Sequence, residues 1–81
     1  MPSYTILRES FHDENARGRV AGLGAESPTD GIRVAKENGW YLIRASGTEP
    51  KIRITAEGTT PAEAKGMLRE AHDRLGQGKT P

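Results

Sequence analysis

The dipeptide Asn38-Gly39 separates two short runs of β-forming residues, Gly-Ile-Arg-Val-Ala-Lys at 31–36 and Trp-Tyr-Leu-Ile-Arg-Ala at 40–45. Asn-Gly between such runs is the strongest short-range signal for a hairpin, because both residues tolerate the positive φ of a two-residue type I′ turn. That turn predicts Val34 opposite Ile43 and Ile32 opposite Ala45. Ile32, Val34, Tyr41, Ile43 and Ala45 then share one face, assigned to the core, and Arg33, Trp40, Leu42 and Arg44 share the other. A third run, Lys-Ile-Arg-Ile-Thr-Ala-Glu at 51–57, alternates cleanly. Ile52, Ile54 and Ala56 face inward and Arg53, Thr55 and Glu57 outward. Antiparallel pairing of this strand with 40–45 sets Arg44 and Arg53 on the same outer side, flanking the loop between them.

The remaining elements follow from capping and periodicity. Residues 4–9 read as a first strand whose buried face the pattern leaves open. Residues 10–24 read as a weak helix, with Ser10 as cap, Asp13 and Glu14 in its first turn, and Ala16, Val20 and Leu23 as its apolar stripe. Gly18 and Gly22 each cost such a helix about 0.8–1 kcal/mol relative to alanine. Thr60-Pro61-Ala62-Glu63 is a helix start: threonine at the N-cap, proline at N1 and glutamate completing a capping box. Ala64, Met67, Leu68, Ala71 and Leu75 form the stripe, Glu70 and Arg74 an i, i+4 pair, and Gly76 the stop. The order β-α-β-β-β-α predicts an α+β two-layer sandwich: a four-stranded, mostly antiparallel sheet with two helices on one face. Residues 1–76 form the single expected domain and residues 77–81 a flexible tail.

Composition narrows the function classes. The chain has 81 residues and 33% hydrophobic content, enough for one modest core and too little for a deep enclosed pocket. Twelve basic against eleven acidic residues make a nucleic-acid partner unexpected. No apolar run is long enough to span a membrane, and Met-Pro-Ser-Tyr at the start is no secretory signal. Cysteine is absent, consistent with a cytoplasmic location. His12 and His72 lack ligand spacing, so no metal site and no cofactor is expected in this domain.

The chemistry concentrates in Arg44-Ala45-Ser46-Gly47-Thr48-Glu49-Pro50 and the nearby Arg53. Guanidinium forks match phosphate oxygens, and Ser46 and Thr48 supply hydroxyl donors. Gly47 permits a positive φ that would aim successive N–H groups into one concavity. Most glycine loops between strands are only turns, and strand-end arginines are usually solvated. Residue chemistry alone therefore leaves an anion site and a plain turn both open.

The same letters add a second argument. R-A-S-G-T-E-P resembles the phosphate-binding loop in the C-terminal domain of the α-D-phosphohexomutases: phosphoglucomutase, phosphomannomutase and phosphoglucosamine mutase. D-G-I-R-V, N-G-W-Y-L-I-R and K-I-R-I-T-A-E resemble the strands around that loop, and the likeness runs from about Tyr4 to Leu75. It implies that Arg44, Ser46, Gly47, Thr48 and Arg53 grip the phosphate of a phosphosugar substrate, with Glu49 bracing the loop. It further implies a role in interconverting hexose 1- and 6-phosphates through a phosphoserine enzyme and a bisphosphate intermediate. The phosphoserine and a Mg²⁺ would be held by the enzyme's other domains. No serine-histidine nucleophile loop and no Asp-Gly-Asp metal loop occurs in these 81 residues, so the isolated chain is expected to lack mutase activity. The glycine-studded first helix departs from the longer helix of relatives. The rival readings are a free-standing phosphate-binding module and, less favoured, a nucleic-acid-binding α+β domain that stacks a base on Trp40.

Overall fold

The computed structural model describes residues 4–76; the expected tail at 77–81 lies outside them. Four strands and two helices follow in the order β1 (Thr5–His12), α1 (Ala16–Ala21), β2 (Ile32–Lys36), β3 (Gly39–Ala45), β4 (Lys51–Gly58) and α2 (Pro61–Gly76). The sheet order is β1-β4-β3-β2, and all three pairings are antiparallel. This is the α+β two-layer arrangement that the sequence predicts. Both helices pack on one face. Ala16 and Val20 from α1 and Met67, Ala71 and Leu75 from α2 join Tyr41, Ile43, Ala45, Ile52, Ile54 and Ala56 in a single core. Ile43, Ile52, Ile54 and Val20 are its largest fully buried side chains, each contributing about 1.5–3 kcal/mol by leaving water.

The hairpin differs from expectation in register. Ile32 pairs with Ile43 and Val34 with Tyr41, so Glu37 and Asn38 make the turn and Gly39 belongs to β3. Among the described residues no non-glycine residue has positive φ, and Gly39 does not either, so the type I′ turn is not formed. The reason lies in the next strand. A Cβ on Gly39 would lie 2.0 Å from the Glu57 carbonyl oxygen, so this glycine provides a close approach between β3 and β4 rather than a turn. The slip is two residues, and strand side chains repeat every two, so the predicted faces survive it.

The first helix is shorter than expected. Ser10 is no cap: it lies in β1 opposite Arg53, because β1 continues pairing with β4 as far as His12 opposite Lys51. Asp13 and Glu14 precede the helix, which starts after Asn15. At α2 the capping box forms on one side: the Glu63 N–H donates to Thr60 Oγ1 at 3.1 Å, and the Glu63 carboxylate accepts the Thr59 and Thr60 hydroxyls. The expected Glu70–Arg74 pair is replaced. Glu70 meets Lys36 of β2 at 2.8 Å, and Arg74 Nε donates to the hydroxyl of buried Tyr41 at 3.0 Å. A buried phenol needs a partner more than an exposed carboxylate does.

Gly58 and Gly66 test this packing from opposite directions. A Cβ on Gly58 would lie 2.2 Å from the Ala64 nitrogen, whereas one on Gly66 meets nothing within 4 Å. Urea denaturation of Gly58→Ala is expected to show a loss of about 1–3 kcal/mol from overpacking. Gly66→Ala, inside α2, is expected to gain about 0.5–1 kcal/mol.

Candidate phosphate-binding site

Arg44 and Arg53 are direct cross-strand partners. Their neighbours Ile43, Ala45, Ile52 and Ile54 are buried under the helices, so alternation sends both arginines to the open face. Like charges in directly opposed positions destabilise a sheet. The nearest carboxylate relieves this only weakly: Glu49 Oε1 is 3.9 Å from Arg53 and 3.8 Å from Lys51, among half-exposed side chains. Arg44 has no carboxylate within 4 Å among the described residues. Both arginines line a depression of about 320 Å³ on the open face, together with Arg8, Glu9, Ser10, Ile54 and Thr55. Gly31 keeps the flank of Arg44 clear. It has φ +77°, and a Cβ there would lie 2.6 Å from the Arg44 Cβ.

The loop beside them is held from within. Ser46 is buried, and its Oγ accepts from the Thr48 N–H at 3.3 Å and the Glu49 N–H at 3.2 Å. The Ser46 N–H donates to the Lys51 carbonyl at 2.9 Å, and the Lys51 N–H to that of Glu49 at 2.8 Å. The expected concavity of successive free N–H groups is therefore not formed, and Gly47 does not take a positive φ. The inward-turned Ser46 oxygen satisfies two amides of the five-residue connection. One N–H of the loop, that of Gly47, makes no hydrogen bond among the described residues. Its Cα faces open space: an added Cβ would meet only the Thr29 methyl, at 3.8 Å. Nothing in the packing requires glycine at this position.

Contacts from outside fix where the loop sits. The Ala45 N–H donates to the Pro28 carbonyl at 2.8 Å and the Asp13 N–H to that of Pro50 at 2.7 Å. Arg17, a residue that sequence reasoning overlooked, donates from Nη2 to the Gly47 carbonyl at 2.6 Å. Periodicity places Arg17 on the exposed side of a weak helix and carries no signal for this contact, which spans 30 positions. Thr48, Glu49 and Pro50 line a second depression of about 270 Å³ against residues 14–18. The arginine pair and Thr48 thus line different depressions, and neither of the two is lined by all five predicted residues. Trp40 is half-buried on the open face, with the Arg33 guanidinium 4.8 Å above its ring.

Fold and loop define the class first: a small antiparallel α+β domain whose open sheet face carries a weakly offset arginine pair beside an internally hydrogen-bonded polar turn. The chain belongs to the phosphoglucomutase/phosphomannomutase C-terminal domain family, whose pattern matches residues 7–74. A probable phosphoglucosamine mutase of Methanococcoides burtonii is 39% identical over 88% of this chain and 20% of its own length. One of Methanopyrus kandleri is 52% identical over 93% of this chain and 18% of its own length. A phosphoglucomutase/phosphomannomutase of Thermococcus kodakarensis is 34% identical over 84% of this chain. The chain thus spans about a fifth of the length of the curated relatives it matches. Among the described residues no three His, Asp or Glu side chains gather where they could hold a metal ion, and no helix is long and apolar enough to cross a membrane.

Asp13 anchors the corner beneath the loop. Its carboxylate accepts from Arg19 Nη1 at 2.6 Å and from the Asn15 N–H at 2.9 Å, and Arg19 also reaches the Leu75 carbonyl at 2.7 Å. The Arg19 hydrogen bond holds the Asp13 carboxyl below its ordinary value, outweighing the opposing effect of burial. A depressed carboxylate stabilises the fold fully above its unfolded value and loses that contribution as pH falls through the folded one. Asp13→Asn is accordingly expected to be less stable than the parent chain near neutral pH. In chemical denaturation that gap is expected to close below about pH 4.

Proposed function

We propose that this chain is the domain of a phosphohexomutase that holds the phosphate not undergoing transfer, fixing a phosphosugar for chemistry carried out by the enzyme's other domains. The observation that carries the reading is Arg44 directly opposite Arg53 on an uncovered face, in a chain of this family. In this reading the two guanidiniums supply charge-assisted hydrogen bonds to phosphate oxygens. The Gly47 N–H adds a donor that no described residue consumes. Glycine there lets the ester approach the backbone closely. Ser46 serves the site by stiffening the loop, and Thr48 at the exposed tip offers its hydroxyl to substrate. The domain's share of the reaction is positioning and electrostatic stabilisation, which dominate phosphoryl transfer. Interconversion of hexose 1- and 6-phosphates, through a phosphoserine and a bisphosphate with Mg²⁺, belongs to the assembled enzyme. The residues described here do not fit a metal, and no step is assigned to one.

Two arginine contacts of about 1.5–3 kcal/mol net each sum to about 3–6 kcal/mol, with roughly 4 kcal/mol inside that range. That corresponds to about millimolar binding. Titration of the ¹⁵N-labelled chain with glucose 6-phosphate is expected to shift amides within residues 44–53 saturably, Gly47 foremost. Unphosphorylated glucose is expected to shift none. Arg44→Ala is expected to weaken binding about tenfold, the worth of one charge-assisted contact. Gly47→Ala separates site from fold: it is expected to match or exceed parent stability, by up to about 1 kcal/mol, while losing affinity. Shifts confined to residues outside 44–53 would refute the assignment.

A further inference from the structure

Three guanidiniums share the open-face depression, and only two of them flank the loop. Arg8 of β1 pairs with Thr55 of β4, and its neighbour Ser10 pairs with Arg53. Cross-strand partners point to the same side of a sheet. Arg8 and Ser10 therefore project onto the face that carries Arg53, Thr55 and Arg44, and all five line the same depression.

The nearest acidic residues do not pair closely with this cluster: Glu57, on the same open face of β4, has no basic partner within 4 Å among the described residues. Glu9, beside Arg8 in sequence, alternates to the helix side and meets His72 Nε2 of α2 at 2.5 Å. Phe11, next on that side, stacks on the same histidine, with ring centroids 5.9 Å apart. Among the described residues no carboxylate lies within 4 Å of Arg8 or Arg44, and Arg53 has only Glu49 at 3.9 Å. Arg33, the other arginine of this face, differs because Trp40 already occupies its guanidinium. An exposed arginine alone is ordinarily just solvated. Three lining one depression, with only Glu49 at 3.9 Å from Arg53 as a carboxylate partner, repel one another, and so exposed an ion pair gives the fold little in return.

We propose that Arg8 is a third anion-binding residue, and that the phosphate site extends from the β3–β4 loop across β4 onto the open face of β1, with the Ser10 and Thr55 hydroxyls between. The ligand class is a phosphate monoester dianion, and the proposal rests on the reading of Arg44 and Arg53 given above. An anion seated among the three guanidiniums relieves their mutual repulsion. Bound phosphate therefore raises stability by binding the folded chain alone.

The test measures inorganic phosphate and glucose 6-phosphate affinity by NMR titration, and phosphate-induced thermal stabilisation, at low and moderate salt. Parent chain, Arg8→Ala, Arg8→Lys, Arg33→Ala and Arg44→Ala are compared. Arg8→Ala is expected to bind about 3- to 10-fold more weakly, as for loss of one exposed charge-assisted contact. It is also expected to show a shallower salt dependence and a smaller phosphate-induced rise in Tm. Without phosphate its Tm at low salt is expected to equal or exceed the parent value, which a merely structural arginine would not allow. Arg8→Lys is expected to recover part of the affinity, and Arg33→Ala to bind like the parent. Arg8→Ala binding like the parent while Arg44→Ala fails overturns the role of Arg8 and leaves the loop reading standing. Equal losses in Arg8→Ala and Arg33→Ala reduce the effect to net charge and also overturn it. Loss in Arg8→Ala with Arg44→Ala unaffected supports Arg8 and contradicts the loop reading. Absence of phosphate binding by the parent chain overturns both.

Discussion

Ile43, Ala45, Ile52 and Ile54 are sealed beneath the helices, and strand alternation then leaves Arg44 and Arg53 no face but the open one. The antiparallel register makes the two arginines direct partners. Hydrophobic burial thus forces an electrostatically unfavourable pairing. Each buried isoleucine contributes about 1.5–3 kcal/mol, while an exposed like-charge pair in solvent costs well under 1 kcal/mol. The core wins easily, so the fold tolerates a cationic pair that only Glu49, 3.9 Å from Arg53, offsets among the described residues.

The loop that accompanies this pair is organised by satisfaction of its own amides rather than by exposure of them. Ser46 is sunk into the structure and accepts two N–H groups, Lys51 and Glu49 close the turn, and Arg17 takes the Gly47 carbonyl. What remains outward is small: one N–H, one glycine with free space above it, and the Thr48 hydroxyl. The corner at Asp13 and Arg19 ties the same loop to the C-terminal end of α2 through the Leu75 carbonyl, joining site geometry to core packing.

Much of this was legible in the sequence, because the informative signals were local and periodic. The three alternating runs identified the core face, the side that carries Arg44 and Arg53, and the antiparallel order. Thr60-Pro61-Ala62-Glu63 marked the start of α2. What failed was decided by distant contacts. Asn38-Gly39 has the letters of a type I′ turn, yet Gly39 is spent on a close approach to Glu57, which no local pattern encodes. Ser10 looks like a cap until β4 draws it into β1. Gly47 suggests positive φ, but buried Ser46 satisfies the turn first. The positions of Arg8 and Arg17 carried no local signal: one reaches the open-face depression through β1–β4 pairing, the other the loop through a contact across the fold.

The central claim is that the arginine pair and the turn beside it hold one phosphate ester. A crystal structure of the chain grown with glucose 6-phosphate addresses that claim most directly. The account places the phosphorus within reach of both the Arg44 and Arg53 guanidiniums, with the Gly47 N–H donating to an ester oxygen and Ser46 Oγ still bonded to the loop amides. A phosphate seated instead against Arg17 and Thr48 on the other side of the loop, with Arg44 and Arg53 untouched, would contradict it.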